Sequence, residues 1–130
     1  MPHSLTVYPE DHLIVVCYTG EILIQELKDV REEIFNHPDF DKVKFGVSDF
    51  RKAIKKILPS EFSDFVTQIK NNQTNIKWSL LNSTPLETSL SLLFKNGLEE
   101  TPRIGVFTTL NAASDYLGLD LSKHLTEHHL

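Results

Sequence analysis

The chain has 130 residues, 40% hydrophobic and 24% charged, a balance that suits one globular domain able to bury its own core. A formal charge of -5 argues against a nucleic-acid partner, because phosphate-backbone binding needs a basic face. Cys17 is the single cysteine, which excludes an internal disulfide framework and a cysteine-based zinc site. It lies within the apolar run LIVVCY and reads as an inert buried thiol.

The opening residues, MPHSLTVYPEDH, carry neither a basic nor an apolar leader segment, and no apolar run approaches the roughly 18 residues needed to span a bilayer. A cytoplasmic location without stable membrane association is the expectation. Ser4–Tyr8 and Leu13–Thr19 are rich in strand formers and flank Pro9-Glu10-Asp11-His12, a turn cluster, so they read as an antiparallel hairpin closed by Gly20. Leu23, Leu27, Val30 and Ile34 then recur at helical spacing, with Lys28, Arg31, Glu32 and Glu33 between them. This helix must end before Pro38.

Val43–Asp49 alternates as a strand, and Arg51, Lys52, Lys55 and Lys56 follow as a basic loop or first helical turn. Phe62, Phe65, Val66 and Ile69 mark a second helix that begins near Ser60. Ile76, Trp78 and Leu80 alternate as the next strand. Thr84-Pro85-Leu86-Glu87 combines a threonine N-cap, proline at the first helical position and glutamate three residues on, the pattern of a capping box. Its helix carries Leu86, Leu90, Leu93 and Phe94 and stops at Gly97. Arg103–Thr108 is the last strand, a short helix runs from about Leu110 to Gly118, and residues 120–130 are a terminal turn or frayed tail.

The predicted order is β-β-α-β-α-β-α-β-α. Strands separated by helices pair in parallel through right-handed crossovers. The alternation within each strand predicts helices mostly on one face, met by Val43, Phe45, Val47, Ile76, Trp78, Leu80, Ile104 and Val106. The opposite face would expose Gly46, Ser79, Gly105 and Phe107, beside Lys44, Ser48, Lys77 and Leu81. Such a shallow surface could take another chain, including a second copy, unless the hairpin or tail packs on it.

Gly20 at the opening of the first helix, HPDFDKVKFGVSDF (His37–Phe50), TPLETSLSLLF (Thr84–Phe94) and PRIGVFTTLNAASDYLGL (Pro102–Leu119) together resemble the SpoIIAA-like or STAS-like domains. These are small bacterial domains related to anti-sigma-factor antagonists, and the similarity is to their stand-alone relatives. It covers about Leu13 to Leu119 and rests on structural motifs. The resemblance implies a STAS-like domain with a mixed, mainly parallel sheet. It further implies a non-catalytic regulatory module that docks a kinase or regulator through a strand-to-helix loop carrying a phosphorylatable hydroxyl. Ser60 is the nearest hydroxyl at the matching place, in Leu58-Pro59-Ser60-Glu61, with no glycine beside it.

Ser60 has two readings: an N-cap oxygen for the second helix, or a phosphate acceptor at the positive end of that helix. Ser48 and Asp49 end a parallel strand, the edge where α/β sheets bind ligands, and Asp49 could share a polar cleft with Asn82, Ser83, Thr108 and Thr109. No base, nucleophile and oxyanion arrangement is visible, so an enzyme is not expected. His12 and His37 read as surface residues. His124 and His128 have the i, i+4 spacing that can present two imidazoles to a metal, but the segment reads as tail and no metal or other cofactor is expected. The alternative function is carriage of a small apolar ligand or lipid between sheet and helices.

Overall fold

The computed structural model describes residues 2–71, 75–84, 87, 89, 92 and 103–126. Strand β1 (His3–Tyr8) turns through a short 3-10 segment, Pro9–Asp11, into β2 (Leu13–Ile22). Helix α1 (Ile24–Phe35) leads to β3 (Phe45–Lys55), and α2 (Pro59–Asn71) leads to β4 (Lys77–Leu81). After residues mostly outside the described set come β5 (Ile104–Phe107), α3 (Leu110–Leu117) and a 3-10 turn at Leu121–Lys123. The predicted helix from Thr84 to Gly97 falls largely outside the described residues; Glu87, Ser89 and Leu92 within it are helical.

The sheet has the order β1-β2-β3-β4-β5, with β1 antiparallel to β2 and the other pairs parallel. Because β2, β3 and β4 follow one another in chain order, right-handed crossovers place α1 and α2 on the same face. There Leu27, Val30 and Ile34 of α1 and Phe62, Phe65 and Val66 of α2 bury against Ile14, Val16, Tyr18, Leu80 and Ile104.

Helix α3 lies on the opposite face. Leu110, Ala113 and Leu117, with Leu121 and Leu125 beyond the helix, cover Leu13, Val15, Val47 and Leu81. It follows the last strand and is not a crossover, so the handedness rule does not bind it. Burying a leucine is worth about 1.5–3 kcal/mol, which makes a bare face holding Leu13, Val47 and Leu81 unfavourable. Thr109 accepts from the Ala112 N–H at 3.1 Å to cap the start of α3, and Gly118, at φ 73, ends it with a bond to the Ser114 carbonyl.

Two expectations are thereby corrected. α1 and α2 share one face as expected, but the opposite face is not bare: α3 lies on it, Gly46, Ser79 and Gly105 are buried, and Phe107 is half-buried under α3. The Ser79 hydroxyl donates to the Ala113 carbonyl at 3.1 Å, which fixes α3 to the sheet. The relative register of the strands also differs: Phe45 pairs with Lys77 and Gly46 with Trp78, so Phe45 and Val47 share a face with Ser79 and Leu81. Trp78 and Leu80 share the other with Gly46 and Ser48. A one-residue register offset exchanges every side chain between faces, and single-strand alternation does not carry that offset.

The N-terminal strand is clamped to α1 by a buried imidazole. His3 Nδ1 meets Glu26, and its Nε2 lies 3.1 Å from the nearer Glu33 carboxylate oxygen. Burial pulls the His3 pKa down, but the hydrogen bonds and charges of Glu26 and then Glu33 outweigh it, and the net direction is up.

Two outcomes follow from these contacts. A Cβ added at Gly46 would stand 2.5–2.6 Å from the Trp78 ring atoms Cζ3 and Cδ2. Overpacking outweighs the backbone-entropy gain of alanine, so Gly46→Ala should cost about 1–2 kcal/mol in urea unfolding followed by Trp78 fluorescence. Because the folded His3 pKa is raised, its contribution to stability is fully present below the ordinary value of 6.5 and is lost as pH rises through the folded value. The Tm advantage of the wild-type chain over His3→Gln should therefore be largest below the ordinary histidine value of 6.5 and shrink as pH is raised above it.

Candidate functional site at the end of the β2–β3 ribbon

β3 does not stop at Asp49. β4 leaves it there, but β2 and β3 continue to pair as far as Ile22 and Lys55, through a bulge that sets Cys17 opposite Asp49 and Thr19 opposite Lys52. β3 spends two residues, Phe50 and Arg51, where β2 spends Tyr18 alone. Phe50 stacks on Tyr18 with ring centroids 4.5 Å apart. Gly20, at φ 73, supplies the left-handed backbone that lets β2 follow the redirected partner.

Arg51 folds back on Asp49. Its Nε and Nη2 each donate to a carboxylate oxygen at 2.9 Å, and its backbone N–H donates to Asp49 Oδ1 at 3.1 Å. Both side chains are buried, which makes this bidentate pair a rigid corner and not an open anion site. The Cys17 thiol beside it is half-buried, and burial followed by the Asp49 charge pushes its pKa up. Ser48 is buried on the α1–α2 face.

Past the bulge, Ala53, Lys55 and Ile57 point inward and Lys52, Ile54 and Lys56 outward. The Lys55 side chain is only 2% exposed. Its Nζ donates to Asn82 Oδ1 at 2.8 Å and to the Glu87 carbonyl at 3.3 Å, lies 3.5 Å from Glu87 Oε1, and sits 4.3 Å from the centre of the Phe50 ring. The Lys55 backbone N–H donates to the same Glu87 oxygen at 2.8 Å. Burial lowers the Lys55 pKa, and the Glu87 carboxylate opposes the shift. A lysine with a lowered pKa can do imine chemistry, yet a carbonyl compound could reach this one only by displacing Asn82 or Glu87. The arrangement is a lock joining the ends of β3 and β4 to the helical residue Glu87.

The outer side of the same ribbon end exposes apolar side chains among charged ones. Among the described residues the exposed large hydrophobic side chains are Leu23 at 61%, Ile54 at 53%, Leu58 at 64% and Leu92 at 42%. Three of the four gather here: Ile54 pairs with Glu21, two residues before Leu23, and Leu58 follows four residues after Ile54. Lys52 and Lys56 are exposed beside them, with Lys56 3.8 Å from Glu21.

Ser60 is exposed at the second position of α2, not at its N-cap, which is Leu58. The Leu58 N–H donates instead to Glu61 Oε1 at 2.8 Å, the half of a capping box in which the N3 carboxylate reaches back. Of the three regulatory candidates, Ser60 alone is open to solvent; Ser48 and Asp49 lie in the strand interior because β3 runs on past them. Of the residues expected to line a cleft with Asp49, namely Asn82, Ser83, Thr108 and Thr109, Asn82 bonds Lys55 and Thr109 caps α3, while Asp49 itself bonds Arg51. The basic loop expected from Arg51 to Lys56 is corrected to strand as far as Lys55, and both Arg51 and Lys55 are inside.

The Lys55–Asn82–Glu87 lock escapes a reading of single elements. Glu87 carries the signature of a capping residue, and its backbone N–H does bond Thr84 Oγ1 at 3.2 Å, but its carboxylate serves Lys55. The signal that finds the lock is the period-two run Ala53-Lys55-Ile57, which continues the strand and turns the second lysine of the segment inward.

No family model and no curated protein matches the chain. Among the described residues no helix is long and apolar enough to cross a membrane.

Removing one partner of a buried ion pair leaves the other charge uncompensated. Glu87→Ala should cost about 3–5 kcal/mol in urea unfolding, and the double variant Lys55→Met/Glu87→Leu should recover most of that loss.

Proposed function

We propose that the chain is a non-catalytic regulatory module of the STAS-like kind that binds a protein partner through the exposed end of the β2–β3 ribbon and the first turn of α2. The observation that carries the reading is the gathering of Leu23, Ile54 and Leu58 on one end of the fold, held by an element with a locked interior. Exposed apolar side chains grouped beside lysines fit a protein interface with an apolar centre and a charged rim. A rigid platform also lowers the ordering cost of binding.

Ser60 gives this surface a means of control. It is two residues from Leu58 and lies in the first turn of α2, where the helix dipole favours negative charge. A phosphate there would place about -1.5 to -2 charges beside the apolar contact and would be tolerated by the helix. Desolvating that charge against an apolar partner is unfavourable, so the phosphorylated form should release the partner.

The reading is tested by affinity capture from the native host's lysate with the wild-type chain, Leu58→Asp and Ser60→Glu, with phosphate read by mass spectrometry. A protein held by the wild type should be lost, by at least tenfold in yield, from both variants, and Ser60 phosphate should be found only in the unbound fraction. Capture unchanged by both substitutions would overturn the proposal.

A further inference from the structure

A second group of polar side chains lies away from the ribbon end, where the β1–β2 turn meets the C-terminal segment. Glu10 and Asp11 come from the 3-10 turn Pro9–Asp11, and His124 follows the 3-10 turn Leu121–Lys123. His124 Nε2 stands 2.8 Å from Asp11 Oδ2, and its ring stacks on Tyr8 with centroids 3.7 Å apart and planes 23° apart. Burial of Leu121 and Leu125 on either side fixes the backbone that presents the imidazole.

One nitrogen and two carboxylate oxygens, one each from His124, Asp11 and Glu10, lie within 4.8 Å of one another. Zinc-type ions hold nitrogen and oxygen ligands at about 2.0–2.2 Å, so ligand atoms on a common ion are about 3.4 Å apart. Asp11 Oδ2 and His124 Nε2, now hydrogen-bonded at 2.8 Å, would open by about 0.6 Å as an ion replaces the shared proton, and the exposed Glu10 side chain is free to rotate in as the third ligand. We propose that Glu10, Asp11 and His124 form a binding site for a divalent transition-metal cation of the zinc type.

The donor set gives the class of ion. An imidazole with two carboxylates suits zinc and its first-row neighbours, whereas calcium and magnesium prefer oxygen ligands throughout. Tyr8 restrains the imidazole plane, so binding spends little on ordering the ring. Glu10 is exposed and leaves a path for the ion to enter. Three protein ligands leave at least one position for water, which makes the site an exchangeable one. The bound ion would tie the β1–β2 turn to a segment more than a hundred residues away in the chain, and so hold α3 and the C-terminal turn against the sheet.

The test is titration of tag-free full-length chain with zinc chloride by calorimetry, with nitrogen-15 spectra of the His124 ring recorded on the wild type. Saturable binding of one ion per chain is expected, together with a shift of the His124 ring signals. Affinity should fall at least tenfold in Glu10→Gln, whose side chain lies outside the Tyr8 stack, and in Asp11→Asn. No saturable binding, an unshifted His124 ring, or affinity unchanged in both variants would overturn the proposal; the last result would assign the ion to other histidines.

Discussion

The parallel pairing of β2 with β3 is the contact on which the other layers depend. β1 leaves β2 at Tyr18 and β4 leaves β3 at Asp49, so beyond those residues, past a last backbone bond from Thr19 to the Pro2 carbonyl, the two strands rely on each other and the side chains packed around them. A two-stranded ribbon is marginal in water unless something covers it. Here the cover is supplied from inside: Tyr18 and Phe50 stack at the bulge, Arg51 closes on Asp49, and Lys55 holds Asn82 and Glu87. Taking the Lys55 charge out of water is costly. It is offset by three oxygen acceptors and an aromatic face around one ammonium, and the same contacts fix where β3 ends.

From that end the rest follows. α1 starts two residues after β2, and α2 starts four residues after β3, so the position of each helix is set by where the ribbon stops. Both then pack on one face by crossover handedness. The opposite face is left to the last helix, whose Leu110, Ala113 and Leu117 lie over Val47 and Leu81. The apolar side chains with no room inside, Leu23, Ile54 and Leu58, are those of the ribbon's outer side and its two exits.

The order of strands and helices was legible in the sequence because each element has its own period. Leu27, Val30 and Ile34 are buried as their spacing requires, whereas Leu23, expected on the same stripe, precedes the helix and is exposed, its place taken by Ile24; Gly118 stops α3 in the left-handed conformation expected of a C-terminal glycine. Relations between elements were less legible. The face to which Gly46 belongs depends on its pairing with Trp78, and the burial of Ser79 and Gly105 depends on α3 turning back across the sheet. Lysine and arginine near Lys52 suggested a solvated loop, because composition reports the average preference of a residue type and not the partners that overrule it. Asn82 and Glu87, each with its own local signature, came together only through Lys55. Ser60 lies in the first turn of the second helix and not at its cap, since Pro59 occupies the first helical position.

The central claim is that the segment after Asp49 is an ordered strand rather than a loop, and native-state hydrogen exchange tests it most directly. The Lys55 amide bonds Glu87 Oε1 and the Lys56 amide bonds the Ile22 carbonyl, both at 2.8 Å. Both should exchange as slowly as the amides of the sheet centre, such as that of Trp78, which bonds the Arg103 carbonyl. Exchange of Lys55 and Lys56 at the rate of an unstructured loop, with Trp78 protected, would contradict it.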